Sequence, residues 1–271
     1  MIRKLFCLGA LAALAAISVT AQTADEIISK YIAARGGIEK IKAIKSERIT
    51  GTVSFGPDAE GPFIIERQRP LKMYMQFSIN GLTLIRTYDG KSSGWIYNPI
   101  SPNPSVQPMS ETELRNINDD VDFDGPFVDY KSKGNQIDLV DKEEVLGVSA
   151  YKLKLTNKSG DVSYFYFDAS LNLPIKWEGE RRIENQVFPW ESFFHDFREV
   201  NGLKYPFLIE SDSPGSDQHQ RIMADKIELN VPIDAGRFGK PNPPAPPPTA
   251  TTPSAPPAPD TPPPAQKPDN H

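Results

Sequence analysis

Between residues 24 and 44 the apolar positions recur every three or four residues: Ile27, Ile28, Tyr31 and Ile32, then Ile38, Ile41 and Ile44. That spacing predicts an amphipathic helix followed by a shorter one. Thr23 and Glu26 make a capping box at its start, and Gly36-Gly37 separates the two pieces. After Ser46 the period drops to two. Ile49, Gly51, Val53 and Phe55 alternate with Arg48, Thr50, Thr52 and Ser54. Leu71, Met73, Met75, Phe77 and Ile79 alternate with Lys72, Tyr74, Gln76 and Ser78. The alternation returns at residues 151–156, 173–178 and 226–231. One dry and one wet face per strand points to antiparallel sheet, since parallel sheets are covered on both sides.

The connections agree with that reading. Asn80-Gly81 and Asn201-Gly202 are two-residue hairpin signals, and Asp89-Gly90 and residues 168–172 read as further turns. About ten or eleven strand candidates follow one another, too many for a sheet that does not curl. Ser110 and Glu113 form a second capping box, mid-meander, opening a short helix through Leu114 and Ile117. The expected fold is therefore α+β and predominantly antiparallel: a curled sheet, an N-terminal helix packed on it, and a short plug helix folded back over the concave side.

The two ends of the chain are different in kind. Met1-Ile2-Arg3-Lys4, an apolar run from Leu5 to Val19, and Val19-Thr20-Ala21 have the layout of a cleaved signal peptide, residues 1–21. The run is short for a membrane span. Cys7, the only cysteine, lies inside it behind bulky Phe6, so neither lipidation there nor thiol chemistry after cleavage is expected. From residue 241 to 271 about half the residues are proline and little is large and apolar. Such a tail has nothing to bury against its chain entropy and is expected to be disordered. Residues 22–240 remain as one domain. The formal net charge of −5 includes no basic block, which argues against nucleic acid as a partner.

The candidate chemistry is thin. Asp120-Val121-Asp122-Phe123-Asp124-Gly125 matches the first half of a calcium loop, but its closing position holds Lys131 where a glutamate is needed. The expectation is a solvated acidic loop and no metal site. His195 stands in an aromatic run (residues 188–197) that offers no nucleophile, so a hydrolase reading has little to stand on. Ser149 lacks the second glycine of a nucleophile elbow. No cofactor fingerprint and no catalytic residue is expected. What the domain has in quantity is apolar bulk on strands: the Met73, Met75, Phe77 row, residues 164–167, the 188–197 run with Phe188 and Phe194 on one face and Phe193 and Phe197 on the other, and Leu203, Tyr205 and Phe207. Flexible methionine beside rigid aromatics suits a lined cavity that accepts varied apolar guests.

Glu66-Arg67-Gln68-Arg69-Pro70, then a strand and hairpin, then Asp89-Gly90-Lys91 and Trp95-Ile96-Tyr97-Asn98-Pro99 resemble the periplasmic lipoprotein carrier LolA and its relatives. The match is specific over residues 61–99. Beyond residue 134 only the strand pattern and turn placement agree. The resemblance implies an incomplete β-barrel closed by helices over a hydrophobic cavity, with no enzymatic activity. It implies that Asp89 and Lys91 shape a corner, and that Arg69 bonds to the lid and holds the closed form. Candidate cavity-lining residues are Met73, Met75, Phe77, Trp95, Tyr97, Leu114, Ile117, Phe165, Phe167 and Trp177. The implied partners are acylated lipoproteins or similar lipids, an inner-membrane exporter and an outer-membrane acceptor, in the periplasm. An envelope sensor or scaffold for lipoproteins is the alternative.

Overall fold

The computed structural model describes residues 22–243, apart from 184, 185, 216 and 218. The expected signal peptide and the proline-rich tail from residue 244 lie outside the described residues. Helix α1 (Ala24–Arg35) starts on its capping box, with the Glu26 amide donating to Thr23 Oγ1 at 3.3 Å and the Thr23 amide to Glu26 Oε2 at 3.2 Å. Helix α2 (Ile38–Lys42) follows Gly37. A first meander then runs through β1 (Ser46–Ser54), β2 (Glu60–Gln68), β3 (Lys72–Ile79), β4 (Leu82–Tyr88), β5 (Gly94–Tyr97) and β6 (Val106–Pro108). Helix α3 (Glu111–Asp120) opens on the Ser110–Glu113 capping box. A second meander runs through β7 (Gln136–Val145), β8 (Val148–Thr156), β9 (Val162–Asp168), β10 (Pro174–Ile183), β11 (Gln186–Val200), β12 (Leu203–Asp212) and β13 (His219–Leu229).

All thirteen strands form one sheet in the order β6-β5-β4-β3-β2-β1-β13-β12-β11-β10-β9-β8-β7. Every pairing is antiparallel, and the β1–β13 seam joins the two meanders. The outermost strands, β6 and β7, do not pair with each other, so the sheet is open. Thirteen strands exceed the expected ten or eleven. One reason is β6, three residues inside a proline-rich stretch that reads as a connection, too short to show a period.

One side, the helix face, carries α1, α2 and α3. Ile27, Ile28 and Tyr31 of α1 pack on Ile137, Leu153, Leu155 and Phe167. Ile41 and Ile44 pack on Leu203, Tyr205, Phe207 and Ile227. Leu114 and Ile117 of α3 pack with Met73 and Tyr88, while α3 also touches β10. Five strands lie between β3 and β10, a separation of about 29 Å in a flat sheet. A helix of ten residues is only about 15 Å long. The sheet therefore curls around the helix face.

The back face is crossed by the segment after β13. Ser46 Oγ donates to Val231 O at 2.5 Å, Arg237 Nε to Glu66 Oε2 at 2.7 Å, and Thr87 Oγ1 to Gly239 O at 2.9 Å. The short 3-10 turn Ala235–Phe238 buries Phe238 against Tyr74, Ile85 and Tyr97. This strap covers the back of the first meander.

Candidate functional site

Register aligns the apolar residues of the helix face in rows. Phe194, Ile209, Ile222 and Val53 face one another across β11, β12, β13 and β1. Gly51, Phe63, Phe77 and Leu84 make a second row, and Ile49, Ile65 and Met75 a third. Trp177 opposes Phe165, with ring centroids 6.4 Å apart. Phe63 and Val53 are buried. Ile65, Met75, Phe77, Leu84, Phe165, Trp177, Phe194, Ile209 and Ile222 are only half-buried.

Helix α3 sits on part of this face. Leu114, Ile117, Met109 and Val121 cluster with Met73 and Tyr88. Gly94 makes the approach possible: a Cβ there would lie 2.5 Å from Met109 Sδ and 3.0 Å from Leu114 Cδ2. The segment that leaves α3 is held by three arginines. Arg69 donates to both Asp124 carboxylate oxygens, at 3.2 and 2.6 Å, and to the carbonyls of Ile44 at 2.5 Å and Ile41 at 3.1 Å. Arg35, the last residue of α1, donates to Asp124 O at 3.2 Å and Phe123 O at 3.1 Å. The Arg67 and Arg69 guanidiniums each lie 5.3 Å from the centroid of the Phe123 ring. Arg67 in turn pairs with Glu47, a carboxylate only 1% exposed. Burial works against the Arg67 charge, yet Glu47 beside it holds the guanidinium above its ordinary pKa. Burial also raises the Tyr205 phenol, and Glu47 pushes it the same way.

The structure brings most of the expected lining residues together. Met73, Met75, Phe77, Leu114, Ile117, Phe165, Phe167 and Trp177 all lie on the helix face, with Met73, Ile117 and Phe167 buried under helices. Trp95 and Tyr97 do not join them. Gly94 points at α3, so alternation turns Trp95 and Tyr97 to the back face. There Trp95 pairs with Thr87, which bonds the strap, and Tyr97 packs against Ile85, Tyr74 and Phe238. Their place as cavity lining is corrected on that ground.

The other sequence candidates fall as follows. Asp89 Oδ1 accepts the amides of Lys91, Ser92 and Ser93 at 2.8, 3.0 and 3.0 Å, which makes a corner. Two acids of the calcium-like string are engaged, Asp122 by Lys133 at 2.5 Å and Asp124 by Arg69, while Lys131 reaches Asp25 at 3.0 Å. His195 lies on the back face, 3.5 Å from Glu210, where Phe193, Phe197 and Leu208 supply no nucleophile. Phe193 is not a bare apolar patch, since Lys176 sits 5.4 Å above its ring within a ladder running Glu143–Lys152–Glu178–Lys176–Glu191. Sequence reasoning passed over Glu47, Arg35, Arg67 and Phe123. Among the rows it passed over Ile65, Leu84, Ile209 and Ile222, which alternation with their strand neighbours would have placed.

Several solved structures share this architecture. A LolA superfamily protein from Nitrosomonas europaea superposes with a TM-score of 0.51 at 15% identity, over 81% of this chain and 99% of that one. The fold is LolA-like. A putative outer membrane lipoprotein-sorting protein domain from Vibrio parahaemolyticus gives 0.51 at 10% identity, covering 80% and 96%. A DUF1329 family protein from Desulfovibrio piger gives 0.54 at 12% identity, covering 79% and 95%. No family model matches the sequence, and no curated protein matches it. In LolA-like terms the chain is an open antiparallel sheet with helices on one side. No helix among the described residues is long and apolar enough to cross a membrane.

Proposed function

We propose that the helix face binds the acyl chains of lipoproteins or similar lipids, and that the protein carries them through the periplasm toward the outer membrane without catalysing a reaction. The observation that carries this reading is the band of half-buried apolar residues on a concave sheet face, part of it overlain by α3. The LolA-like fold supports it, as does the likeness to the Vibrio lipoprotein-sorting domain. An inner-membrane exporter would load the protein and an outer-membrane acceptor would unload it.

Energetics gives α3 a reason to be there. Each methylene removed from water stabilises a complex by about 0.8 kcal/mol, so a dozen contribute on the order of 10 kcal/mol. A carrier that bound so tightly would not release its load. A helix that occupies the empty site competes with the guest and offsets part of the gain. Arg69 and its Asp124 partner set how firmly that helix is held, because they fix the segment at its C-terminal end.

Native mass spectrometry of the purified protein tests the reading. Co-purified species with the masses of diacyl or triacyl lipid or lipopeptide are expected, and a preparation that stays unloaded after incubation with acylated lipopeptide contradicts it. Transfer from one membrane fraction to another separates a carrier from a sensor, which would bind and not deliver.

A further inference from the structure

The connections at the two ends of the strands differ in how many expose a large apolar residue: among the described residues, only Leu146 and Leu171 do so at the end that carries α2. At one end lie the turns β2–β3, β4–β5, β7–β8, β9–β10 and β11–β12, together with α2 and the arginine contacts. At the other end lie β1–β2, β3–β4, β5–β6, β8–β9, β10–β11 and β12–β13. Five of these six carry one exposed large apolar residue in the turn or within two residues of a strand end: Phe55, Leu82, Ile100, Val162 and Val187. Exposure runs from 37% at Leu82 to 77% at Ile100. One such residue needs no explanation, but one on nearly every turn of the same rim does.

We infer that this rim is a membrane-docking edge that dips into the interfacial layer of a lipid bilayer. Three observations point to a bilayer in preference to a protein groove. Register sends Phe55 and Leu82 toward the helix face but Val162 and Val187 toward the back face. A single protein surface would cover one side of the edge, whereas a bilayer surrounds it. The residues are also spread one per turn along a curled arc and do not form a compact patch. Finally, the rim is continuous with the apolar rows of the helix face through Phe55, whose ring stands 6.5 Å from Phe77. The exposed charges nearby carry both signs, with Asp58, Glu60 and Asp217 beside Lys158 and Arg221. Docking therefore rests on apolar insertion and not on anionic headgroups. This inference rests on the acyl-binding reading only in its purpose, which is to bring the concave face up to the membrane that gives or receives the lipid.

The test is co-sedimentation of the protein with phosphatidylcholine vesicles, with and without added phosphatidylglycerol. The wild-type chain is expected to partition onto neutral vesicles, and anionic lipid should change that by less than about threefold. Replacing Phe55, Leu82 and Ile100 by serine and Val162 and Val187 by threonine should weaken partitioning on the order of a hundredfold. Leu146→Asn with Leu171→Ser removes exposed leucines from the opposite end and should leave partitioning unchanged. Wild-type protein that ignores neutral vesicles, binds only anionic ones, or loses as much from the Leu146 and Leu171 changes overturns the proposal. Binding of a soluble acyl probe without vesicles is measured on the same proteins. It should survive Val162→Thr with Val187→Thr, made without the changes on the helix face, and also the Leu146 and Leu171 changes, so a failure of acyl binding is seen separately from a failure of docking.

Discussion

The two ends of this sheet are stabilised on opposite principles. At the anchored end, helices and charge close the structure. Gly36 lies so near the β11–β12 turn that a Cβ would come within 2.2 Å of Gly202 O, and Arg35, Arg67 and Arg69 converge on Glu47, Phe123 and Asp124. At the free end, turns expose apolar residues and half-buried rows run up to them.

Breaking the anchored end should have the largest effect. Glu47→Ala leaves Arg67 without its carboxylate in a buried setting, and removing one partner of such a pair costs about 3–5 kcal/mol. Urea unfolding should show that loss as a lower midpoint, and a loss below about 1 kcal/mol would mean the pair does not hold this end. Gly94→Val forces a side chain into Met109 and Leu114, which should cost about 1–3 kcal/mol and displace α3. An apolar dye should then bind more strongly. Arg69→Leu removes four hydrogen bonds to Asp124, Ile41 and Ile44 and should cost about 1–2 kcal/mol. It should also raise dye fluorescence, and unchanged fluorescence would count against Arg69 as the restraint on α3.

The smallest effects sharpen the contrast. Phe55→Ser at the free end should change stability by less than about 0.5 kcal/mol. Leu146→Asn should stabilise the fold. Of the seven described non-glycine residues with positive φ, six are Asn or Asp, and Leu146 at φ 51° is the exception. Replacing it by a residue that tolerates this conformation should gain up to about 1 kcal/mol by thermal melting.

Much of this was legible in the sequence. Alternation gave antiparallel strands, capping boxes gave the starts of α1 and α3, and Asn-Gly pairs gave two hairpins. Met73, Met75 and Phe77 fell on the helix face because a strand of eight residues shows its period clearly. Trp95 and Tyr97 were misplaced because β5 has only four residues and both of its faces are covered, one by α3 and one by the strap. The strap itself could not be foreseen: Arg237 and Glu66 are 171 residues apart, and no local pattern announces their contact. The hold on the segment after α3 was hidden for the same reason, since Arg35 reaches Phe123 across 88 residues.

Photo-crosslinking with a long-chain acyl probe that carries a terminal diazirine, followed by peptide mass spectrometry, tests the central claim most directly. Adducts are expected at Met75, Phe77, Phe165 and Trp177 on the concave helix face, and they should increase in Arg69→Leu. Adducts at Trp95, Tyr97 or Phe193 on the back face, or none above a detergent-competed background, would contradict it.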